Sequence, residues 1–502
     1  MMTVPGDVPW LRRTNHVLRA DPSRVVCKIF LPGQEAAQQG ESRSTVILER
    51  LLDHSEEVVD RTLAGVRTGY LGRHRDLEGI WEKHFGLMEH RLVGRQALSP
   101  NRRQLIGAYF TQEFALQGAA LLNPSMVAHP DQSGLSDGST RFVMTLRAVG
   151  EGHISSVEFR TGVIDADCHI TFEAAPTVVV LPVRSDTTYL KASFQKKLAD
   201  LGGDRTNSDF VLDVLPPTFT RQELRLAIDD LRDQRLTRGA AERTLERLEW
   251  IAACNYRVEF PSDSHLQERA LMPTAPSESQ GLEDVRMLMF TEPDRTTRYV
   301  GTYTAYDGQG VATQLMETRD FRTFDMTQLS GPGAQDKGLA LFPRRVDGRY
   351  MALSRADRES NGITVSEDMR HWEKPIQLQV PELPWEDIQL GNCGPPLETP
   401  EGWLVLTHGV GPMRQYSIGA LLLDLEDPTL VIGRLNTPLL TPKADEREGY
   451  VPNVVYSCGS LLHGRTVVLP YGCSDAFTRI AIIDLDPLLT ALTRSTRALE
   501  AR

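Results

Sequence analysis

A group of short strands recurs five times after residue 120, and this internal repeat constrains the fold more than any other feature of the chain. In each unit a polar residue opens one strand, a second strand follows a polar turn, and a third strand comes after it. The second strands begin at Arg141, Arg298, Arg349, Gly402 and Arg465. In two units the third strand is followed by a matching turn, Thr318–Phe324 and Ser366–Trp372, that suits a tight corner into an outer, fourth strand. Four-stranded units repeated at intervals of about 50 residues are typical of a β-propeller. The sequence therefore predicts a mainly β fold built as a five-bladed β-propeller.

A longer stretch with a helical pattern, residues 174–280, separates the first two units of the repeat. It contains the capping-box sequence Thr220-Arg-Gln-Glu223 ahead of an apolar stripe. Before the repeat, a strand-like start is followed by apolar residues at helical spacing. We therefore predict an α+β or helical extension at 1–120, blade 1 at 121–173, a partly helical insert at 174–280, blades 2–5 at 281–490 and a C-terminal tail at 491–502.

The composition argues against some partners and locations. The net charge of −12 argues against nucleic acid and against an anionic membrane surface. No apolar run approaches the roughly 18 residues of a membrane helix, and the N-terminus lacks the apolar core of a signal peptide. The six cysteines are scattered without a CxxC pattern, which is typical of reduced thiols. These features predict a cytoplasmic protein.

Equivalent positions of the second strands should lie on a ring around the axis of a propeller. The ring positions of this chain are Arg147, Thr304, Arg355, His408 and Tyr471. The residues that open the first strands, with one that follows the last unit, add Asn123, Glu283, Asp284, Arg286, Lys337, Asn392, Asn453 and Asp475. Each of these residues, taken alone, is equally explained as a polar core residue whose hydrogen bonds are made within the protein. The cluster Glu283–Arg286 is equally explained as a structural ion pair.

Taken as a set, these side chains favour a ligand site, because buried guanidiniums need an anion or several acceptors. Carboxyls surrounded by basic side chains and amides suit a polyhydroxylated ligand that carries an anionic group or is bound next to an anion. They do not suit a metal site, which needs clustered His, Cys or carboxylates. The chain also lacks the GxSxG, P-loop, HExxH and Rossmann glycine patterns.

Several stretches resemble glycoside hydrolase family 130, which comprises inverting β-mannoside phosphorylases and β-mannosidases built as five-bladed propellers. The similar stretches are Glu283–Arg286, Lys337–Pro343, Gly394–Pro396 with Trp403 and His408–Val410, Tyr416–Gly419 through Asp427-Pro428, and Tyr450–Asn453 with Tyr471–Asp475. The resemblance spans about 123–173 and 281–490. The first 120 residues and the insert lie outside the short family core and are similar to those of a longer subgroup.

The resemblance implies roles for individual residues. Asp284 would be the general acid, acting on the glycosidic oxygen directly or through a sugar hydroxyl. Asn123, Arg147 and Asp475 would bind the mannosyl ring. Three further residues would also bind the substrate: Glu283, Gln389 and Asn453. Inorganic phosphate, a co-substrate with no further cofactor implied, would be bound by Lys337, Arg355, His408 and Tyr416.

Three positions depart from the family pattern. Val285 replaces the usual proline, and Lys337 stands where many members have arginine, which keeps the charge but loses the bidentate fork. Gln389 stands where the phosphorylases carry a lysine, and this weakens the expectation of phosphate binding.

The leading hypothesis is inverting phosphorolysis of β-mannosides, giving α-mannose 1-phosphate and an acceptor sugar. One alternative is an inverting β-mannosidase, which needs a carboxylate base; the nearest candidates, Glu386 and Glu398, are not on ring positions. Another alternative is a non-catalytic sugar-binding propeller. The partner would be a β-mannosyl oligosaccharide or glycoconjugate, and the sequence leaves linkage, acceptor and a homo-oligomeric state open.

Overall fold

The computed structural model of the protein describes residues 8–33, 42–92, 97–185, 187–233 and 239–500. The chain divides into two compact units. The first comprises Met1–Ala20, Ala119–Ala175 and Leu181–Arg502, and the second comprises Asp21–Gly118 with Pro176–Val180. Most strands belong to the first unit, and the mainly β fold class predicted from the sequence is confirmed.

The second unit is a helical layer with one two-stranded sheet. Strand β1 (Leu11–Leu18) precedes it in the chain and belongs to the first unit. The second unit then consists of β2 (Val25–Ile29), α1 (Arg43–Asp53), α2 (Glu56–Tyr70), α3 (Leu77–Met88), α4 (Pro100–Tyr109) and β3 (Thr111–Ala115), with β2 paired to β3. The side chains of Ser42, Ser55 and Ser99 cap α1, α2 and α4, as their residue type favours. Trp81 and Phe110 are among the buried core residues of this unit.

The largest sheet contains the first two units of the repeat, with the helical insert between them in the chain. The elements in order are β4 (Ala120–Ala128), β5 (Thr140–Val149), β6 (Ser155–Ile164), β7 (Ile170–Phe172), β8 (Val183–Ser185), β9 (Tyr189–Leu190), α5 (Lys191–Asp200), α6 (Arg205–Asp213), β10 (Thr218–Phe219), α7 (Arg221–Asp233), α8 (Gly239–Ala253), β11 (Tyr256–Glu259), β12 (Ala270–Leu271), β13 (Gly281–Thr291), β14 (Thr297–Tyr306), β15 (Val311–Thr318) and β16 (Thr323–Gln328). The sheet runs in the order β4-β5-β6-β13-β14-β15-β16-β11-β8, and β7 and β12 pair with β6. Its two halves meet at a single parallel pairing of Gly281 with Ser155.

The insert has an apolar core of its own, formed by α5–α8. Phe194, Leu212, Ile228 and Leu248 are buried there. The predicted capping box is present at the start of α7, where the Thr220 hydroxyl accepts a bond from the backbone N–H of Glu223, whose carboxylate accepts one from the backbone N–H of Thr220. The helices of the insert are therefore an independently packed layer rather than a long loop.

The other three units of the repeat form separate antiparallel sheets. A four-stranded sheet contains β17 (Ala340–Leu341), β18 (Tyr350–Ser354), β19 (Asn361–Ser366) and β20 (Ile376–Gln379). A five-stranded sheet contains β21 (Gln389–Asn392), β22 (Leu397–Thr399), β23 (Gly402–Gly411), β24 (Gln415–Leu423) and β25 (Val431–Arg434). The last sheet contains β26 (Val455–Tyr456), β27 (Leu461–His463), β28 (Thr466–Cys473) and β29 (Phe477–Asp484), and α9 (Leu485–Glu500) follows it.

Strand β1 completes this last sheet and changes the predicted domain boundary. It pairs with β29, with Leu11 opposite Ile483. The sequence assigned residues 1–120 to one extension, but residues 11–18 belong to the sheet at the other end of the chain. A reason is that β29 would otherwise be an edge strand with unpaired backbone N–H and C=O groups. None of the described helices combines the length and the apolar composition that crossing a membrane requires.

Candidate active site

Two strand irregularities position the predicted acid and its nearest polar neighbour. The register of β4 against β5 slips around Asn123, and that of β13 against β14 slips around Asp284. Both residues have left-handed backbone angles, with φ of 48° and 58°. Asn and Asp tolerate this conformation better than most residues, and a β-bulge redirects the side chain of the extra residue. The two side chains meet, and Asn123 Nδ2 donates to Asp284 Oδ1.

Two cations lie beside the carboxylates at the start of β13. Arg147 Nη2 donates to Glu283 Oε1 at 2.6 Å, and its Nη1 lies 3.5 Å from Asp284 Oδ1. Lys337 Nζ donates to Glu283 Oε2 at 3.0 Å. Glu283 therefore matches the structural ion-pair interpretation of this cluster. Asp284 has a weaker ionic contact and accepts its hydrogen bond from an amide.

The charges around Asp284 lower its pKa. Burial opposes ionisation of the carboxyl, but the charges of Arg147, Lys337 and Arg286 and the hydrogen bond from Asn123 outweigh it, so the pKa lies below its ordinary value. Asp284 is consequently ionised at neutral pH when the site holds no ligand. Filling the site with an anion and excluding water would both favour the protonated form.

Arg286 joins the first strands of three units of the repeat, β13, β21 and β26. Its Nη1 donates to the side-chain and backbone oxygens of Asn392, at 2.9 and 3.2 Å, and its Nη2 donates to the hydroxyl of Tyr456 at 2.6 Å. Asn392 in turn donates to the carbonyl of Gly338 at 2.7 Å. A guanidinium that is only 3% exposed is thus satisfied by neutral acceptors, and it fixes β13, β21 and β26 relative to one another.

His408 is a neutral side chain within this network. Burial and the neighbouring Arg355 and Arg286 lower its pKa well below the ordinary value. Its Nδ1 lies 3.2 Å from the Asn392 carbonyl, and its Nε2 lies 3.2 Å from Arg355 Nη1. These partners assign the tautomer in which Nδ1 donates and Nε2 accepts. The ring also stacks on Tyr416, with centroids 6.0 Å apart.

Arg355, beside His408, has unused hydrogen-bonding capacity. Its Nε is buried and has no acceptor among the residues that the structure describes. A carboxylate oxygen of Asp336 lies 4.0 Å from Nη2 of Arg355, and the same carboxylate pairs with Arg358 at 3.4 Å. Tyr416, next to His408, accepts a bond from Gln389 Nε2 at 3.3 Å. A buried guanidinium N–H aimed at no acceptor is suited to binding an anion.

The four predicted phosphate ligands therefore divide into two places. Arg355, His408 and Tyr416 are neighbours. Lys337 instead pairs with Glu283, and its charge also acts on the neighbouring Asp284. Gln389 lies with the first group through Tyr416, although the resemblance assigned it to substrate binding.

Asp475 and Asn453 follow the same strand-opening pattern in different surroundings. Asp475 has a φ of 49° after β28, and the charges that act on it are those of Arg147, Asp284, Arg414 and Glu283. It therefore lies on the Asp284 side of the site. Asn453 accepts a bond from Arg447 Nε at 2.7 Å, and its carbonyl accepts one from the backbone N–H of Tyr416 at 3.0 Å. The structure thus places Asn453 beside Tyr416.

One ring position predicted from the sequence is wrong. Tyr471 donates its hydroxyl to Glu446 Oε1 at 2.7 Å and belongs to the apolar core shared by the last two sheets and α9. Its neighbour Gly472 faces Asn123 instead. A shift of one residue in a strand moves a side chain to the opposite face, and that shift placed Tyr471 in the core. Thr304 is buried on β14 opposite Glu283, as a ring residue at the site would be.

Tyr456 is the residue of the network that the repeat did not single out. It follows the stretch Tyr450–Asn453 by three positions, and its only sequence signal was a polar hydroxyl on an otherwise apolar short strand. Within the described ranges, no group of three or more His, Cys, Asp or Glu residues is placed to hold a metal ion.

Replacing Asp475 by asparagine should stabilise the protein at neutral pH. Burial, aided by Asp284 and Glu283, raises the pKa of Asp475 to about 6. This pKa exceeds that of an aspartate in the unfolded chain. The contribution of Asp475 to the free energy of unfolding is therefore most favourable below pH about 4, and it is lost as the pH rises through about 6. We expect Asp475→Asn to raise the free energy of unfolding by roughly 1–3 kcal/mol at pH 7 and by almost nothing at pH 4.

Denaturant unfolding of both proteins at the two pH values measures this difference, and the pH 4 pair is the internal control for any change of packing. An equal difference at both pH values would mean that the charge of Asp475 is not the cause.

Residues 263–494 match the model of a glycoside hydrolase 130 family described as β-1,4-mannooligosaccharide phosphorylase. The 1,2-β-oligomannan phosphorylase of Thermoanaerobacter sp. (strain X514) is 39% identical over 153 residues, which are 30% of this chain and 51% of that protein. The β-1,2-mannobiose phosphorylase of Listeria innocua is 32% identical over 259 residues, which are 49% of this chain and 70% of that protein. A solved structure of the β-1,2-mannobiose phosphorylase from Listeria innocua with β-1,2-mannobiose aligns with 76% of this chain and 93% of its own, at 24% identity and a TM-score of 0.44. The match to the first of these relatives thus spans about half of that relative's length.

Proposed function

Since this chain belongs to glycoside hydrolase family 130, we propose that it is an enzyme that cleaves β-mannosides with inorganic phosphate and inverts the anomeric carbon. The products would be α-mannose 1-phosphate and an acceptor sugar. One observation carries this proposal: the half-buried Arg355, whose buried Nε has no described acceptor, lies beside a neutral His408. His408 contacts the Asn392 carbonyl, to which Arg286 of the Asp284 strand also donates.

The five-bladed propeller is part of the proposal. Buried apolar clusters join the β13–β16 strands to the β17–β20 sheet, that sheet to the β21–β25 sheet, the β21–β25 sheet to the last sheet, and the last sheet to β4–β6. Pairwise packing of successive sheets, with the last returning to the first, is what a propeller requires. Arg286, which bonds to residues opening two other sheets, supports a common axis.

In the proposed mechanism Asp284 donates the proton that the leaving sugar oxygen needs, directly or through a sugar hydroxyl. Asn123 fixes the orientation of the carboxyl, and Arg147 and Asp475 hold the mannosyl ring. A phosphate oxygen forms the new bond to the anomeric carbon from the opposite side as the glycosidic bond breaks. The phosphate bound near Arg355 adds negative charge to the site, which raises the pKa of Asp284 from its lowered value, so the carboxylate takes up a proton from solvent before the reaction.

Hydrolysis is less well supported, because it needs a carboxylate base that can activate water. Glu386 pairs with Arg434 and accepts backbone N–H bonds from Glu382 and Leu383. Glu398 pairs with Arg344 at 2.7 Å. Both candidate bases are thus occupied by other partners, while Glu283 is held by two cations.

The reverse reaction tests the proposed activity. Incubation with α-mannose 1-phosphate and a panel of acceptor sugars, including mannose, β-1,2- and β-1,4-mannobiose and glucose, should release inorganic phosphate with at least one acceptor. β-Mannose 1-phosphate is the matched control and should release none, because inversion requires the α anomer. Sugar binding without phosphate release from any acceptor would favour the non-catalytic sugar-binding propeller.

A further inference from the structure

A cavity lies between helix α5 of the insert and strand β16 of the largest sheet. Its volume is about 260 Å³. Ser193 and Lys197 of α5 line one side, and Thr327 and Gln328 of β16 line the other. All of these residues belong to the first unit, and the cavity shares no lining residue with the site around Asp284.

Gln328 provides the first indication of a ligand. Its side chain is only 5% exposed, and neither Oε1 nor Nε2 has a hydrogen-bond partner within the described part of the chain. Its backbone N–H is satisfied by Asn255 Oδ1 at 3.0 Å, so the side chain alone is unpaired. A buried amide left without partners is costly, and it offers both an acceptor and two donors. A sugar hydroxyl, which donates and accepts, would complete it.

Lys197 provides the second indication. Its Nζ donates to the Leu329 carbonyl at 2.8 Å, and no ion pair of Lys197 occurs among the residues described. Burial lowers its pKa, against the opposing charge of Asp200. An ammonium carries three donors, so it has capacity for an anionic group.

The other charges of the cavity are already paired. Arg257 forms two bonds to Asp325, at 2.7 and 2.8 Å, and Arg370 lies 3.3 Å from Glu317. Among the cations described in the cavity lining, Lys197 is therefore the one that an anionic ligand could bind without displacing a carboxylate.

We propose that this cavity binds a single sugar that carries one acidic group, a phosphate or a carboxylate. Hydroxyls of the sugar would bond to Gln328, and the acidic group would pair with Lys197. The cavity volume of about 260 Å³ is slightly below the roughly 300 Å³ of the smallest pockets that bind drug-sized ligands. A monosaccharide therefore fits the space better than an oligosaccharide. The inference does not depend on the reaction proposed for Asp284.

Calorimetric titration of the full chain with glucose 6-phosphate, glucuronate and glucose tests this proposal and distinguishes the two acidic groups. We expect the better acidic sugar to bind with one site per chain, at least about tenfold more tightly than glucose. Lys197→Met should remove that tenfold advantage, and Gln328→Leu should weaken every sugar by about fivefold.

Two control variants localise the binding. Lys196→Met removes a neighbouring lysine that pairs with Asp368 at 3.1 Å and does not line the cavity, so it should leave the affinity unchanged. Arg355→Ala alters the other anion-binding group and should also leave it unchanged. If Gln328→Leu does not fold, Ser193→Trp fills the cavity from α5 and should abolish binding.

Either of two results would overturn the proposal. One is the absence of binding of both acidic sugars to the wild-type chain at millimolar concentration. The other is binding that Arg355→Ala abolishes and Lys197→Met does not, which would place the ligand in the Asp284 region.

Discussion

Asp284→Asn should lower kcat for an unactivated β-mannoside by roughly 10²- to 10⁴-fold, the range that a positioned general acid contributes. The change removes the transferable proton and keeps the size of the side chain. The contact with Asn123 can persist, since an amide oxygen still accepts a hydrogen bond. Sugar binding should therefore be retained, with the dissociation constant of β-mannobiose changed by less than about fivefold.

The leaving group separates an acid from a residue that only holds the substrate. 4-Nitrophenol leaves without help from an acid, so Asp284→Asn should impair cleavage of 4-nitrophenyl β-mannoside much less than cleavage of β-mannobiose. Equal losses on the two substrates would assign Asp284 to binding, and an unchanged rate on β-mannobiose would remove it from the mechanism.

Asp294→Asn is the matched control. Asp294 is in the hairpin that follows β13, the strand on which Asp284 lies, and its carboxylate caps the backbone N–H and hydroxyl of Thr296. The same chemical change at the far end of the strand should leave kcat unaltered and lower stability slightly.

The parts of the fold that could be predicted from the sequence are those with local signals. The alternation of apolar residues located the strands of the repeat, and the polar residues that open them included Asn123, Asp284 and Arg286. A residue such as Asn or Asp placed inside an otherwise apolar strand is itself a signal of a bulge, because it tolerates the left-handed backbone found there.

The missed features depend on contacts between distant parts of the chain. Strand β1 has alternating polar residues that fit a solvated segment equally well, and only its pairing with β29 makes it part of a sheet. Strand β3 follows α4 directly, although Leu105, Ile106 and Phe110 keep a helical spacing up to the point where pairing with β2 begins. Tyr471 shows how exact an alignment of the repeats must be. Because successive side chains of a strand lie on opposite faces of the sheet, an error of one residue assigns a side chain to the wrong face.

The same limit applies to the site. The family resemblance implied that Lys337, Arg355 and His408 act together, but the side chain of a lysine or arginine can pair with any carboxylate within its reach. Lys337 reaches Glu283, and the nearest carboxylate to Arg355 is shared with Arg358. Which cation remains free for an anion is decided by these pairings, which the sequence does not encode locally.

Arg355→Ala should raise the KM for inorganic phosphate at least tenfold or abolish turnover, since charge-assisted bonds to phosphate are the strong ones. Arg355→Lys keeps the charge and loses the planar fork, so an intermediate KM is expected. Arg358→Ala is the control: that side chain is 76% exposed and contacts the same Asp336, and its removal should leave the phosphate KM unchanged.

Dependence on phosphate is the decisive measurement, because a hydrolase gains nothing from a half-buried cation that has a free N–H. We expect cleavage of β-mannobiose to require inorganic phosphate and to give α-mannose 1-phosphate, measured by product NMR with and without phosphate. Gln389 carries no charge, so Arg355 is the main fixed charge beside His408, and the loss in Arg355→Ala should exceed the loss in Gln389→Ala. Equal rates with and without phosphate, with free mannose as the product, would overturn phosphorolysis and favour the inverting mannosidase. In that case Arg355 would hold a structural position next to Asp336, and a carboxylate other than the paired Glu386 and Glu398 would have to act as the base.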